Sequence, residues 1–190
     1  MVNVRQANSK LDYLGIKKLQ EINLPTELSQ DEITSQGFVT CSYSIEDLAT
    51  MNQSYPHIVA EYQSSIVGYC LVMLKNQRDI TPILNPMFDH IDRAEIQGIR
   101  LSELNYFVMG QVCIAKEWRS KKLFYCMYDL LRETMRSDFE MVVTEISQHN
   151  SRSLRAHQKH GFKPLLDYIS PDGHPWSIVY WDWRDSVVLS

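Results

Sequence analysis

The spacing of hydrophobic positions changes along the chain and predicts an alternation of helices and strands. Leu11, Leu14, Leu19 and Ile22 recur at helical spacing, which predicts a first helix with these four side chains on its apolar face. The weak alternation of residues 2–5 predicts a strand ahead of that helix.

Two runs rich in β-branched and aromatic residues, 58–60 and 66–74, are separated by a short polar link, so they predict a hairpin. The periodic pattern then weakens over residues 75–103, where Pro82 and Pro86 interrupt scattered apolar positions. Long irregular connections in compact domains are either functional or disordered. The apolar content of this one indicates a folded connection.

Capping patterns predict two short helices before the hairpin. Ser29 is followed after three residues by Glu32, and Ser44 is followed in the same way by Asp47. A serine hydroxyl and an acidic side chain at this spacing satisfy each other's backbone amides at a helix start.

The second half of the chain has the stronger pattern. A strand leads through a basic turn into a helix with one apolar face, and the turn at Pro171-Asp172-Gly173 predicts a final hairpin. The predicted strands are 104–115, 139–146, 164–168 and 177–183, and the predicted helices are 123–135 and 151–160.

Composition limits the classes of function. A length of 190 residues predicts a single domain over 1–190, and the net charge of −4 argues against a nucleic-acid partner. The four cysteines form no C-x-x-C pair, so free thiols in a reducing cytoplasm are expected. The sequence shows no signal peptide and no apolar run long enough for a membrane span. We therefore expect a cytoplasmic protein with no membrane partner.

The basic turn is the first candidate site. Arg119, Lys121 and Lys122 stand where a strand gives way to a helix. Amides in the first turn of a helix lack intrahelical partners, and the helix dipole favours negative charge there. The turn therefore predicts an anion site, and a solvated charge cluster is the alternative.

The turn resembles the phosphate-binding signature Q/R-x-x-G-x-G/A of the GNAT superfamily of acetyl-CoA-dependent acyltransferases. Arg119 matches its first position, while Lys122 replaces the first glycine and Phe124 replaces the last small residue. The resemblance implies an α/β fold (α+β in some schemes) with a mixed, mostly antiparallel central sheet flanked by helices.

A second GNAT-like pattern follows the next strand. Asn150 precedes a short helix that ends at Gly161-Phe162, and His157 occupies the position of the family's usual tyrosine. An isolated asparagine at this place is more often a helix N-cap, and Asn150 can serve both purposes.

The resemblance implies acetyl-CoA as co-substrate. The amides of the turn would hold its pyrophosphate, assisted by Arg119 and Lys122, and the preceding strand would pair with the pantetheine arm and polarise the thioester carbonyl. The implied coenzyme contacts are Val112, Cys113, Ile114, Arg119, Ser120, Lys121, Lys122, Leu123, Phe124 and Asn150. No metal is implied.

Two residues are catalytic candidates by the same resemblance. His157 would protonate the leaving thiolate, with a partly buried packing histidine as the alternative. Glu145 would deprotonate the acceptor amine, whereas Gln111 stands where some members carry an acidic base and cannot take a proton. Deprotonation through ordered water, without a single base, stays open.

The implied function is direct transfer of an acetyl group from acetyl-CoA to a primary amine, on a small molecule or a peptide, in a ternary complex. The connection 75–103 is expected to cover the acceptor side of the site. The alternative is an acyl-CoA-binding sensor or interaction module of the same fold without turnover. The aromatic hairpin near Trp176 and Trp183 also raises the prospect of a homodimer.

Overall fold

The computed structural model describes residues 1–29, 31–33 and 37–184. Its helices are Lys10–Glu21 (α1), Ile45–Asn52 (α2), Asn85–Ile91 (α3), Leu123–Met135 (α4) and Ser151–His160 (α5). Its strands are Asn3–Gln6 (β1), Ile58–Tyr62 (β2), Ser65–Met73 (β3), Glu95–Ile96 (β4), Ile99–Arg100 (β5), Tyr106–Ile114 (β6), Met141–Ser147 (β7), Lys163–Ile169 (β8) and Pro175–Asp182 (β9). No helix among these is long and apolar enough to cross a membrane.

The main sheet has seven strands in the order β1-β2-β3-β6-β7-β9-β8, and β4 and β5 form a separate hairpin. β1, β2 and β3 pair antiparallel, as do β7, β9 and β8, while β6 and β7 pair in parallel. The predicted mixed, mostly antiparallel sheet flanked by helices is therefore confirmed. The chain divides into two compact units, so the prediction of a single domain over its whole length stays a prediction.

The first unit comprises Met1–Val72 and Met109–Met135. Its predicted first helix is confirmed. Of the predicted apolar face, Leu19 is buried as expected, but the other three positions are exposed. Leu11 and Ile22 are 76% and 56% exposed, whereas Ile16 and Gln20 are buried.

Packing at Gly15 and Arg5 determines which face of α1 is buried. A Cβ at Gly15 would stand 2.4 Å from Cγ1 of Ile66, so this side of the helix lies directly against β3. On the same helix the buried Asp12 carboxylate pairs with Arg5 Nη2 at 2.7 Å and caps the helix through Ser9. Hydrophobic spacing alone did not reveal a buried face that contains an aspartate, a glycine and a glutamine.

The second unit comprises Met73–Val108 and the chain from Arg136 onward. β7 pairs with β9 along its whole length, from Met141↔Asp182 to Ser147↔Trp176. Phe107 packs against Phe139 and Trp183, with ring centroids 5.2 and 5.9 Å apart, and forms part of the core.

The predicted folded connection is also in the second unit and is confirmed. It contains short 3₁₀ turns, α3 and the β4–β5 hairpin. Met87, Phe88 and Ile91 of α3 are buried, and Arg78 bridges Asp89 at 2.7 Å. These contacts fix α3 within its unit.

The two predicted capping boxes are both present. Ser44 and Asp47 exchange hydrogen bonds at the start of α2. The Ser29 and Glu32 side chains likewise bond each other's backbone amides, and residues 31–33 are helical. The rest of the helix predicted there lies outside the described residues.

Candidate functional site

The turn between β6 and α4 has a left-handed backbone at two positions that are not glycine. Ser120 has φ of 65° and Lys122 has φ of 61°. This conformation costs an L-residue about 1–2 kcal/mol, and such strain is concentrated at functional sites. Lys122 occupies the position of the signature's first glycine, so the turn keeps a glycine-like conformation without the glycine.

α4 begins directly after this turn, at Leu123. The amide of Cys126 donates to the carbonyl of Lys122 at 3.2 Å, which closes the first helical turn. The first turn of a helix is where a bound anion can accept from backbone amides, and the helix dipole adds positive potential there. Because Ser120, Lys121 and Lys122 are exposed, an anion can reach this helix start.

The Lys121 and Phe124 side chains of the turn both contact aromatic rings. The Lys121 ammonium lies 4.6 Å from the centroid of the Trp118 ring, and that ring packs against Tyr62. Phe124 is half-buried and packs against Tyr128 at 4.7 Å between ring centroids. Phe124, at the signature's last small position, is thus part of an aromatic cluster.

The Arg119 side chain is engaged within the protein. Its Nε donates to the carbonyl of Ile114 at 2.8 Å, and its Nη2 donates to Oδ1 of Asn23 at 2.7 Å. Asn23 is buried and donates in turn to the carbonyl of Leu19 at 2.9 Å. Arg119 therefore braces the turn against the end of α1, and this geometry lends no support to direct assistance with the pyrophosphate.

The strand β6 pairs in parallel with β7 from Tyr106↔Met141 to Val108↔Val143. The later residues Val112 and Ile114 are half-buried, and Cys113 between them is buried. Burial raises the pKa of the Cys113 thiol to about 11, so it is not a thiolate at neutral pH.

A buried polar network surrounds Gln111 on β6. Its Oε1 accepts from Nε2 of Gln20 at 2.9 Å and from the Tyr69 hydroxyl at 2.6 Å, while its Nε2 donates to the carbonyl of Cys41 at 2.9 Å. Gln20 also accepts from the amide of Tyr43 at 3.1 Å. These bonds link α1, β3 and β6, so Gln111 has a structural role.

The surroundings of Glu145 on β7 favour uptake of a proton by its carboxyl group. Burial raises the pKa of its carboxyl group to about 7, and a hydrogen bond from the Tyr168 hydroxyl, 2.5 Å from Oε2, acts in the opposite direction. A carboxyl group with this pKa can take a proton at neutral pH and release it again.

Asn150 caps α5. Its Oδ1 accepts from the amide of Ser153 at 3.0 Å. The alternative of an N-cap is therefore confirmed for this residue, and binding of the pantetheine arm stays a prediction that would rest on the side-chain nitrogen.

His157 lies in the core of the second unit and is 1% exposed. Burial lowers the pKa of its ring to about 4, although the Ser153 carbonyl, 2.8 Å from Nδ1, opposes that shift. The ring also packs edge-on against Phe162 at 4.9 Å. A neutral ring with Nδ1–H bonded to a carbonyl has no proton on Nε2, so the geometry lends no support to thiolate protonation by His157.

His160, three residues further on, packs against Trp181 at 4.5 Å between ring centroids. In the part of the chain that the structure describes, no group of three or more His, Cys, Asp or Glu side chains could hold a metal ion.

Sequence analysis did not identify Tyr168, which contacts Glu145, or His90, which packs on Tyr168. Tyr168 lies on β8, and its ring centroid stands 4.4 Å from that of His90 on α3. Neither residue belongs to a motif, and both are distant from Glu145 along the chain. Only the paired register of β7, β9 and β8 brings Tyr168 to Glu145.

No family model matches the sequence, and no curated protein matches it. Solved structures do match over nearly the whole chain. The YncA protein of Salmonella typhimurium, whose structure contains acetyl-CoA, is 15% identical over 100% of this chain and 98% of its own, with a TM-score of 0.62. A GNAT-family acetyltransferase from Streptococcus pneumoniae is 12% identical over 95% and 98% of the two chains, with a TM-score of 0.60.

The ribosomal-protein-S18-alanine N-acetyltransferase of Escherichia coli matches as well. It is 8% identical over 96% of this chain and 94% of its own, with a TM-score of 0.61. At identities this low, the likeness to these structures shows the fold alone.

Proposed function

From the GNAT acetyltransferase fold of this chain, we propose that it transfers an acetyl group from acetyl-CoA to a primary amine. The left-handed turn at Lys122 carries the proposal, because it presents the start of α4 in the conformation that the signature's glycine would supply. The amides of Ser120–Phe124 bind the pyrophosphate, and the Lys122 ammonium adds charge attraction.

The pantetheine arm lies along Val112–Ile114 in this proposal. The position of this segment directly before the left-handed turn supports it. An amide of this segment polarises the thioester carbonyl. The side-chain nitrogen of Asn150 contributes a hydrogen bond to the arm.

The chemical step runs without an acyl-enzyme. Glu145 accepts a proton from the acceptor ammonium, the resulting amine attacks the thioester carbon, and the carbon–sulfur bond breaks as the coenzyme A thiolate leaves. The thiolate takes its proton from solvent, since His157 is buried and neutral. Free Cys113 is not a nucleophile in this sequence of steps.

The acceptor is a primary amine of a small molecule or of a peptide. The Escherichia coli neighbour is named for a ribosomal-protein alanine, and another neighbour, the NatC complex, was solved with a Gag peptide and CoA. Those names support a peptide amine as the first acceptor class to screen.

Calorimetric titration with acetyl-CoA and with free coenzyme A tests the coenzyme site. Lys122→Glu is expected to weaken both affinities at least ~10-fold, because it places a negative charge beside the phosphates. Lys10→Glu, an exposed lysine at the start of α1, is the matched control and should leave both unchanged. No measurable binding by the wild type would overturn the proposal.

An acyl-CoA sensor without turnover is the second candidate. It is favoured by the buried His157, because burial lowers the pKa of the ring and leaves the position of the family's proton donor unprotonated at neutral pH. Screening an amine library by release of the coenzyme thiol separates the two functions. Tight binding without thiol release for any amine would establish the sensor, and release with one amine class would establish the enzyme.

A further inference from the structure

The two oxygens of the Glu145 carboxylate have different surroundings. Its Oε2 accepts the Tyr168 hydroxyl, whereas Oε1 has no hydrogen-bond partner within residues 1–29, 31–33 and 37–184. One oxygen is thus fixed by the protein, and the other is left for an incoming proton. A fixed carboxylate of this kind has a defined direction from which it accepts.

Tyr168 is itself positioned by a second side chain. The His90 ring packs on the Tyr168 ring at 4.4 Å between centroids, with an interplanar angle of 41°. His90 belongs to α3, which buried apolar side chains and the ion pair between Arg78 and Asp89 hold in place. The connection between β3 and β6 therefore reaches the carboxylate through one aromatic contact and one hydrogen bond.

Few ionisable groups act on this carboxylate. Tyr168 on β8 faces the Glu145 carboxylate. His90 of α3 and Asp172 of the β8–β9 turn act on Tyr168. The cross-strand partner on β9 is Ile178, which does not ionise. Proton affinity at Glu145 is therefore set by burial and by one hydroxyl, and both can be changed separately.

We propose that Tyr168 is the positioning residue of the proton acceptor Glu145, and that His90 holds the Tyr168 ring in place for this role. The inference rests on the proposed amine acetylation, in which R–NH₃⁺ gives its proton to the carboxylate to form R–NH₂ and the neutral carboxyl group. Tyr168 keeps its own proton throughout and donates its hydrogen bond most strongly to the ionised form.

The decisive experiment is the pH dependence of kcat/KM. In the wild type, kcat/KM should rise with pH through a midpoint at about 7, as Glu145 ionises. Tyr168→Phe removes the hydrogen bond that favours the ionised form, so the midpoint should move upward by about one pH unit. The activity of this variant should fall several-fold at pH 7 and recover near pH 9.

Two further variants test the same geometry. His90→Phe keeps an aromatic ring against Tyr168 and should retain the wild-type profile, whereas His90→Ala should shift it partway toward that of Tyr168→Phe. The matched control is Tyr180→Phe, which removes a hydroxyl from β9 of the same hairpin. It should leave the profile unchanged.

A direct titration separates this inference from the proposed function. The Glu145 carboxyl resonance, assigned by its loss in Glu145→Gln, is followed by NMR in the absence of substrate. A midpoint near 7 that rises in Tyr168→Phe supports the coupling even where no amine is acetylated, which would count against the proposed function alone. A midpoint near the ordinary 4.5, no response to Tyr168→Phe, or an unshifted pH–rate profile overturns the inference.

Discussion

Arg119→Ala is expected to destabilise the protein strongly, because it removes two hydrogen bonds from a charged donor. The Ile114 carbonyl and Oδ1 of the buried Asn23 would both lose a guanidinium partner. Hydrogen bonds to charged groups contribute roughly 1.5–3 kcal/mol each, and the partial exposure of Arg119 places the total at about 2–4 kcal/mol. In a chain of this length that corresponds to a fall in Tm of about 8 °C.

Urea unfolding followed by circular dichroism measures the loss. Arg136→Ala, an exposed arginine just beyond α4, is the matched control and should change the free energy of unfolding by less than about 0.5 kcal/mol. Arg119→Lys should recover only part of the loss, because an ammonium lacks the planar fork that reaches both acceptors.

The affinity for acetyl-CoA, measured under conditions in which the wild type and Arg119→Ala are both folded, decides whether Arg119 is a brace or a phosphate ligand. If Arg119 is a brace, stability should fall by kilocalories, and any loss of affinity should accompany that fall because the turn relaxes. Unchanged stability together with a tenfold loss of affinity would refute the reasoning, because the guanidinium would then act on the ligand and not on Asn23.

Three further predictions follow from single sites. Lys122→Gly should raise the free energy of unfolding in urea by roughly 0.5–1 kcal/mol, because it relieves the left-handed φ, while Lys122→Ala should not; equal effects would contradict the strain. Burial lowers the pKa values of His57 and His157 to about 4, so as the pH falls the unfolded chain takes up these protons before the folded chain does. The free energy of unfolding should therefore be at its full value above pH 6.5. It should fall by about 3 kcal/mol per histidine as the pH drops toward 4. An acid titration of unfolding checks this, and His57→Gln should flatten the curve. Gln111→Leu should cost about 2–4 kcal/mol in urea unfolding, because Gln20 and the Tyr69 hydroxyl lose their common acceptor; a cost under 1 kcal/mol would mean that the network is not a unit.

The order of elements could be predicted because it depends on local patterns. Capping boxes such as Ser44 with Asp47, and the apolar periodicity of α4, are complete within a few residues. Local patterns did not settle which face of α1 is buried. That face depends on Gly15 approaching Ile66 and on Asp12 pairing with Arg5, and both contacts join separate segments.

The sequence points to the basic turn and to Glu145 as candidates for the site, but it does not show which side chains each of them contacts. Asn23 is 96 residues from Arg119, and Tyr168 is 23 residues from Glu145, so no spacing rule relates either pair. For His157, burial lowers the pKa of the ring to about 4, and the sequence does not show what covers the ring.

The turn itself shows how Arg119 is connected to the non-glycine residues that follow it. Ser120 and Lys122 both adopt left-handed φ, at a combined cost of a few kcal/mol, and a turn with that strain needs compensating contacts. Arg119 stands immediately before them and ties the turn to Ile114 and Asn23 with two short hydrogen bonds. On this argument Arg119 holds the backbone in a glycine-like shape, so Arg119→Ala should relax the turn. Arg119→Ala combined with Lys122→Gly should then lose less stability than the arginine variant alone.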